Sequence, residues 1–179
     1  KQTMGKTAEQ RSAKMVQTYL DDVEAPLNAV PVDSKFELRL WLRMLACTNL
    51  ISTELRRKLR SEFSVTLPQF DVLAQLQREP TGLKLGELSR RMMVTKGNLT
   101  GLVDTLVEAG FVTREAVPGD RRAQNVRMTK AGATLFQHMA AAHESWLAEL
   151  FSNLEEGALK SLIVALDQVK QSVRQRVQT

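Results

Sequence analysis

The chain has 179 residues, a formal net charge of +5 and a pI near 9.6. Nine glycines and five prolines are too few for a collagen-like or Gly/Pro-rich disordered chain, and one cysteine excludes an intrachain disulfide framework or a Cys-cluster zinc site. The modest basic excess admits nucleic acid as a partner without demanding it.

No apolar run approaches the 18 or so residues that a membrane-spanning helix needs, so no membrane partner is expected. The opening KQTMGKTAEQRSAK is polar and leads into no apolar core of a secretory signal. The expectation is a cytoplasmic protein without a metal or cofactor. Met15, Val16, Tyr19 and Leu20 predict a short amphipathic helix over about 7–22, and Pro26 and Pro31 bracket a linker, so residues 1–33 read as an extension. A long helix is expected over 34–62, with Ser34 as its cap. Its apolar residues, from Phe36 through Leu59, spread over more than one side, which predicts burial on more than one side.

Thr66-Leu67-Pro68-Gln69 has the spacing of a capping box with proline in the first turn, and Phe70, Leu73 and Leu76 mark the helix that follows. A breaker cluster at Glu79-Pro80-Thr81-Gly82 precedes a short helix, Leu85 to Met92. After a turn at 94–97, Thr95 to Ala109 reads as a helix with Leu99, Leu102, Val103, Leu106 and Val107 inward, and Gly110 falls where a left-handed residue is expected. The period then shortens. Residues 111–117 and 124–128 read as strands around a charged turn at Pro118–Arg122, a β-hairpin. Thr129 begins a long helix to about 152. Ser152 and Glu155 have capping-box spacing for the last helix, whose Leu159, Leu162, Ile163, Leu166, Val169, Val173 and Val177 suit packing against another helix.

The fold class that follows is mainly α with a small β-hairpin wing: a winged helix-turn-helix lobe over 63–129, and a helical region over 34–62 and 130–179. A helix-turn-helix lays its second helix in the DNA major groove with the first residues at base edges. Here that helix opens with Thr95, Lys96, Gly97, Asn98 and Thr100, which place hydroxyl, ammonium and carboxamide groups on the first turns. Read structurally, Thr95 is only a cap and Asn98 a solvated residue. Gly97 and Gly101, four apart, leave a flat strip. The hairpin tip carries Asp120, Arg121 and Arg122; arginine there can enter a narrow minor groove, braced by the neighbouring carboxylate. From Lys84 to Arg127 eight basic residues stand against five acidic ones, so it is placement rather than excess charge that points to a duplex. No nucleophile–base signature, P-loop, dinucleotide fingerprint or metal motif is present, so an enzyme is not expected.

Residues 66–73 (TLPQFDVL), 85–89 (LGELS), 102–114 (LVDTLVEAGFVTR) and 120–132 (DRRAQNVRMTKAG) together resemble the multiple-antibiotic-resistance regulator (MarR) family, with Met128 where leucine is usual. The resemblance covers nearly the whole chain beyond residue 33. It implies a homodimeric transcriptional repressor on a double-stranded DNA operator, dimerised through its N- and C-terminal helices, with a small ligand bound between the dimer core and the DNA-binding lobe. It assigns Arg122 as the wing arginine, Asp120 as its partner and 95–101 as the start of the recognition helix. The segments LRLWLRML (38–45) and MVTKGNLTG (93–101) look closest to members controlling aromatic-acid catabolism, which implies an aromatic acid or aromatic acyl-CoA effector.

Arg39 and Arg43, four apart on the first long helix, invite an anion, either an effector carboxylate or phosphate or an acidic side chain across a dimer. Trp41 is near them in sequence but on another face. His138, His143 and Trp146 are read as packed or solvent-facing rather than as ligand groups. Cys47 raises a redox-sensing alternative, although its apolar neighbours Met44 and Leu45 favour burial. A winged helix used only for protein contacts is the remaining alternative.

Overall fold

The computed structural model describes residues 36–117 and 120–177, and side chains outside 117–123. The helix expected over 7–22 and the Ser34 cap lie outside the described residues. The elements are α1 (Phe36–Phe63), α2 (Leu67–Gln77), β1 (Leu83–Lys84), α3 (Leu85–Met92), α4 (Lys96–Glu108), β2 (Val112–Val117), β3 (Asp120–Met128), α5 (Lys130–Leu150) and α6 (Glu156–Val177).

Local chemistry sets most boundaries. Thr66 caps α2 reciprocally: its Oγ1 accepts from Gln69 N at 3.4 Å, and Gln69 Oε1 accepts from Thr66 N at 2.8 Å. Gln69 Nε2 also donates to Thr105 Oγ1 at 3.1 Å, which ties α2 to α4. Gly110 has φ +75° and closes α4 as expected. Thr129 caps α5 by accepting from Gly132 N at 3.0 Å, while its own hydroxyl donates to Gly110 O at 2.8 Å. A Cβ on Gly132 would lie 2.1 Å from Phe111 O, so the T-x-x-G run is fixed by how closely α5 approaches the chain entering β2.

Three expectations need correction. The sheet is three-stranded, in the order β1-β3-β2 and antiparallel throughout, because Leu83–Lys84 pairs with Val126 and Asn125. The expected charged turn is shorter: Asp120 pairs with Val117 across a bulge at Ala116/Val117, so Asp120, Arg121 and Arg122 belong to β3 by backbone. Ser152 does not cap the last helix. Its N–H closes the turn that ends α5, donating to Glu149 O, and α6 starts only after Glu155, whose carbonyl accepts from Leu159 N.

The core joins α2, α3, α4 and the sheet to the C-terminal half of α1 and to α5. Leu59, Leu73, Leu88, Leu99, Leu106 and Met139 are fully buried; truncating one such leucine to alanine costs about 2–5 kcal/mol. Phe70 stacks on Phe136 (5.5 Å) and His143 (5.0 Å) and thereby locks α2 against α5. Phe63 meets Trp146 at 6.2 Å, and Lys58 lies over the Trp146 ring while pairing with Glu149 at 2.8 Å.

Burial stops at the outer ends. In α1 only Leu55 and Leu59 are buried, whereas Phe36, Leu38, Leu40, Trp41 and Leu45 are exposed; α6 buries nothing and exposes Leu162, Ile163, Val164, Leu166, Val173 and Val177. The burial expected on several sides of the first helix is therefore not supplied among the described residues. Val107, expected inward, is also exposed, and Leu102 is half-buried.

Candidate nucleic-acid interface

The helix-turn-helix is α3, a tight turn and α4. Ser89, buried on α3, donates to Val94 O at 2.7 Å and draws the turn against the first helix. Met93 closes α3 in the left-handed region (φ +54°) with its side chain 94% exposed. Thr95 then caps α4 in extended geometry, accepting from Asn98 N at 3.3 Å. That bond uses an acceptor site of the Thr95 hydroxyl and leaves its proton available to an outside acceptor. Thr100 is half-buried and donates its proton to Lys96 O at 2.8 Å, so only its lone pairs remain. Lys96 and Asn98 are exposed.

Leu99, Val103 and Leu106 fix the inward face of α4. At about 100° per residue, Gly97 and Gly101 fall on the opposite side. A Cβ at either would meet nothing within 4 Å, so neither glycine is required by crowding within the chain.

The wing is fastened to α4 by Arg114 of β2, whose Nη2 lies 2.8 Å from Asp104 Oδ1. The approach is off the hydrogen-bonding directions, and Arg114 Nε and Nη2, both buried, make no hydrogen bond among the described residues. At the wing root, Asn125 Nδ2 donates to Thr81 O at 3.0 Å. Gly82 (φ +88°) lies so close to Asn125 and Val126 that a Cβ there would come within 2.6 Å of both. The contacts of the Asp120, Arg121 and Arg122 side chains, expected at the wing tip, lie outside the described residues.

Between wing root and helices runs a groove of about 690 Å³, lined by β1, the first turn of α3, Lys96 of α4 and Gln124 and Asn125 of β3. Lys84, Arg90 and Lys96 bring positive charge to it and Glu87 the one carboxylate among its lining residues. Arg91 and Arg90 both hydrogen-bond to Glu87 and hold its carboxyl below the usual range; Arg91 also reaches Glu79 at 3.0 Å. Lys84, which no sequence signal singled out, and Lys96 are in no ion pair among the described residues.

The expected effector residues are not brought together. Trp41, 57% exposed, lines a groove of about 560 Å³ between α1 and α6 with Leu40, Met44, Val169 and Val173. Arg39, half-buried, and Arg43, exposed, do not line it and form no ion pair among the described residues. Cys47, favoured as buried, is exposed. His138 is exposed and Trp146 buried. His143 is half-buried on Phe70; burial pushes its pKa down against the pull of Asp71. No helix among the described residues is long and apolar enough to cross a membrane.

Comparison with known proteins gives a consistent result. A model of the MarR family matches residues 63–123. The transcriptional activatory protein BadR of Rhodopseudomonas palustris is 33% identical over 148 residues, which span 77% of this chain and 83% of that protein. The crystal structure of a MarR family transcriptional regulator from Silicibacter pomeroyi aligns with TM-score 0.66 at 34% identity, over 76% of this chain and 94% of that one. Sco3205, a MarR family transcriptional regulator from Streptomyces coelicolor solved in complex with DNA, shares the fold, with TM-score 0.67 at 23% identity over 80% and 91% of the two chains.

Proposed function

This chain belongs to the MarR family of transcriptional regulators, and from that premise we propose that it is a ligand-responsive DNA-binding repressor rather than an enzyme. Two copies lay their α4 helices into successive major-groove turns of a pseudo-palindromic operator, with half-sites about 10 bp apart. Thr95, Lys96, Asn98 and Thr100 face the bases and adjacent phosphates, and Arg122, braced by Asp120 and flanked by Arg121, enters the minor groove. The observation that carries this reading is that Lys96, in the exposed first turn of α4, and Gln124 and Asn125 of the wing root line one groove. The unpartnered apolar residues of α1 and α6 support a dimer made through those helices, and the domain division into 34–62, 63–129 and 130–179 follows from it.

Repression applies where the operator overlaps the promoter. BadR is named an activatory protein, and the same dimer bound beside a promoter would activate. The effector class, a small aromatic acid or its CoA thioester, rests on segments 38–45 and 93–101. Trp41 is its better-placed aromatic contact, and Arg39 and Arg43 are candidate anion contacts away from that groove. Redox control through Cys47 is a second reading favoured by the exposure of its thiol.

Selection of bound duplexes from a random pool tests the DNA reading. One preferred two-fold sequence is expected, and Arg122→Ala or Asn98→Ala should weaken its binding by on the order of 1–3 kcal/mol. Recovery of no preferred sequence would instead favour a protein-interaction module. For the effector, aromatic acids and their CoA thioesters are titrated in a thermal melt; a true ligand raises the midpoint with concentration and loses that effect in the Arg39→Ala/Arg43→Ala double variant. Loss of the ligand response after Cys47→Ser, with peroxide as the probe, would select the redox reading.

A further inference from the structure

The groove between the wing root and the helix-turn-helix has a charge pattern that its own fold does not use. Its acidic group, Glu87, is already shared between Arg90 and Arg91, and Arg91 is held a second time by Glu79. Those two arginines are thereby tethered to α3 and to the loop after α2. Lys84 and Lys96 both line this hollow, both are exposed and both are outside any ion pair among the described residues. Lys84 is held in place by β1, whose two residues pair with Val126 and Asn125 of β3. The wall behind it is stiff: Asn125 is anchored to Thr81 O, and Gly82 admits no side chain. An ammonium in no ion pair among the described residues, on a braced strand and lining one hollow with a second, suits a ligand carrying regularly spaced negative charge.

We propose that this groove seats the phosphodiester backbone of one DNA strand, with Lys84 and Lys96 as the two neutralising cations and Arg90 and Arg91 held out of that role by Glu87 and Glu79. The inference rests on the DNA-binding reading and adds to it Lys84, the groove and the strand β1. The hollow is bordered by Lys96 at the start of α4 and by Gln124 and Asn125 of the wing root, so it lies on the course of a strand that passes from α4 to the wing. Phosphate contacts of this kind fix register and carry no sequence information.

The test needs no operator, because backbone contacts are independent of sequence. A fluorescein-labelled mixed-sequence duplex of about 30 bp is titrated with the full chain from about 50 to 200 mM KCl, and the slope of log K against log salt is measured. Lys84→Ala should weaken binding and reduce that slope by about 0.9 per bound chain, equally on a second, scrambled duplex, with an unchanged melting midpoint since the ammonium has no hydrogen bond or ion pair among the described residues to lose. Lys160→Ala, on the far helix α6, should leave the slope alone. An unchanged slope in Lys84→Ala, or an equal fall in Lys160→Ala, would overturn the proposal while leaving DNA binding intact. Millimolar inorganic phosphate that raises the melting midpoint of the unaltered chain but not of Lys84→Ala would assign the groove to a free anion and overturn the duplex assignment. A chain that binds no duplex at any of these salt concentrations would overturn the DNA-binding reading itself.

Discussion

Gly101 shows how a residue's cost within the chain can point to a partner outside it. Glycine in a helix interior is about 1 kcal/mol worse than alanine, and a Cβ at Gly101 would enter open space. Gly101→Ala should therefore raise the stability of the free protein by up to about 1 kcal/mol, read as a higher urea midpoint. If the outward strip of α4 lies in a major groove, the same change weakens binding to the selected operator. Stabilisation and loss of affinity together separate a contact surface from a structural defect. His143 gives a second prediction at this scale. Burial lowers its pKa below the ordinary 6.5, so the folded state prefers the neutral ring. The unfolded chain then binds more protons in this range, and stability falls as pH drops from above 6.5 through the folded value. Asp71 works in the opposite sense: burial raises its pKa, against the pull of His143 and Arg56, so its protonated form is favoured and its contribution is lost as pH rises through that value. A His143→Gln variant should flatten the decline in urea midpoint between pH 7.5 and 5.5; an unchanged decline would place its cause in another group.

At the scale of elements, legibility in the sequence depended on how local the determinant is. The Thr66/Gln69 box, the Thr95 cap and the left-handed Gly110 are decided by atoms a few residues apart, and all three stand as their spacing implies. Strand β1 was not legible, because two residues, Leu83 and Lys84, are too few for any period and become a strand only by pairing with β3, some 40 residues away in the chain. Lys84 was missed with it. The Ser152/Glu155 spacing misled for a related reason: α5 runs on to Leu150 and its closing turn uses the Ser152 amide, so a polar turn reproduced the pattern without the cap. Cys47 reads as buried from its apolar neighbours and is exposed, because an apolar run in the sequence does not say which surface covers it. Thr66→Ala, which removes one half of the α2 box, should cost about 0.5–2 kcal/mol of stability without changing the salt slope of DNA binding, since α2 faces the core.

At the scale of the whole molecule, the outer half of α1 and the length of α6 leave apolar surface exposed while the elements between them close a core. Leu162, Ile163, Leu166 and Val173 on α6, with Leu40 and Trp41 on α1, form faces too apolar for solvent. A two-fold partner covering them would hold two helix-turn-helix lobes side by side, and Phe70 between Phe136 and His143 would transmit any shift of α5 to the lobe through α2. The most direct test of that arrangement is the stoichiometry and hydroxyl-radical footprint of the complex on the selected operator. The account predicts two chains per duplex, with two symmetric protected segments about 10 bp apart centre to centre and flanking minor-groove protection that disappears in Arg122→Ala. A single chain protecting one half-site, or a footprint without two-fold symmetry, would contradict it.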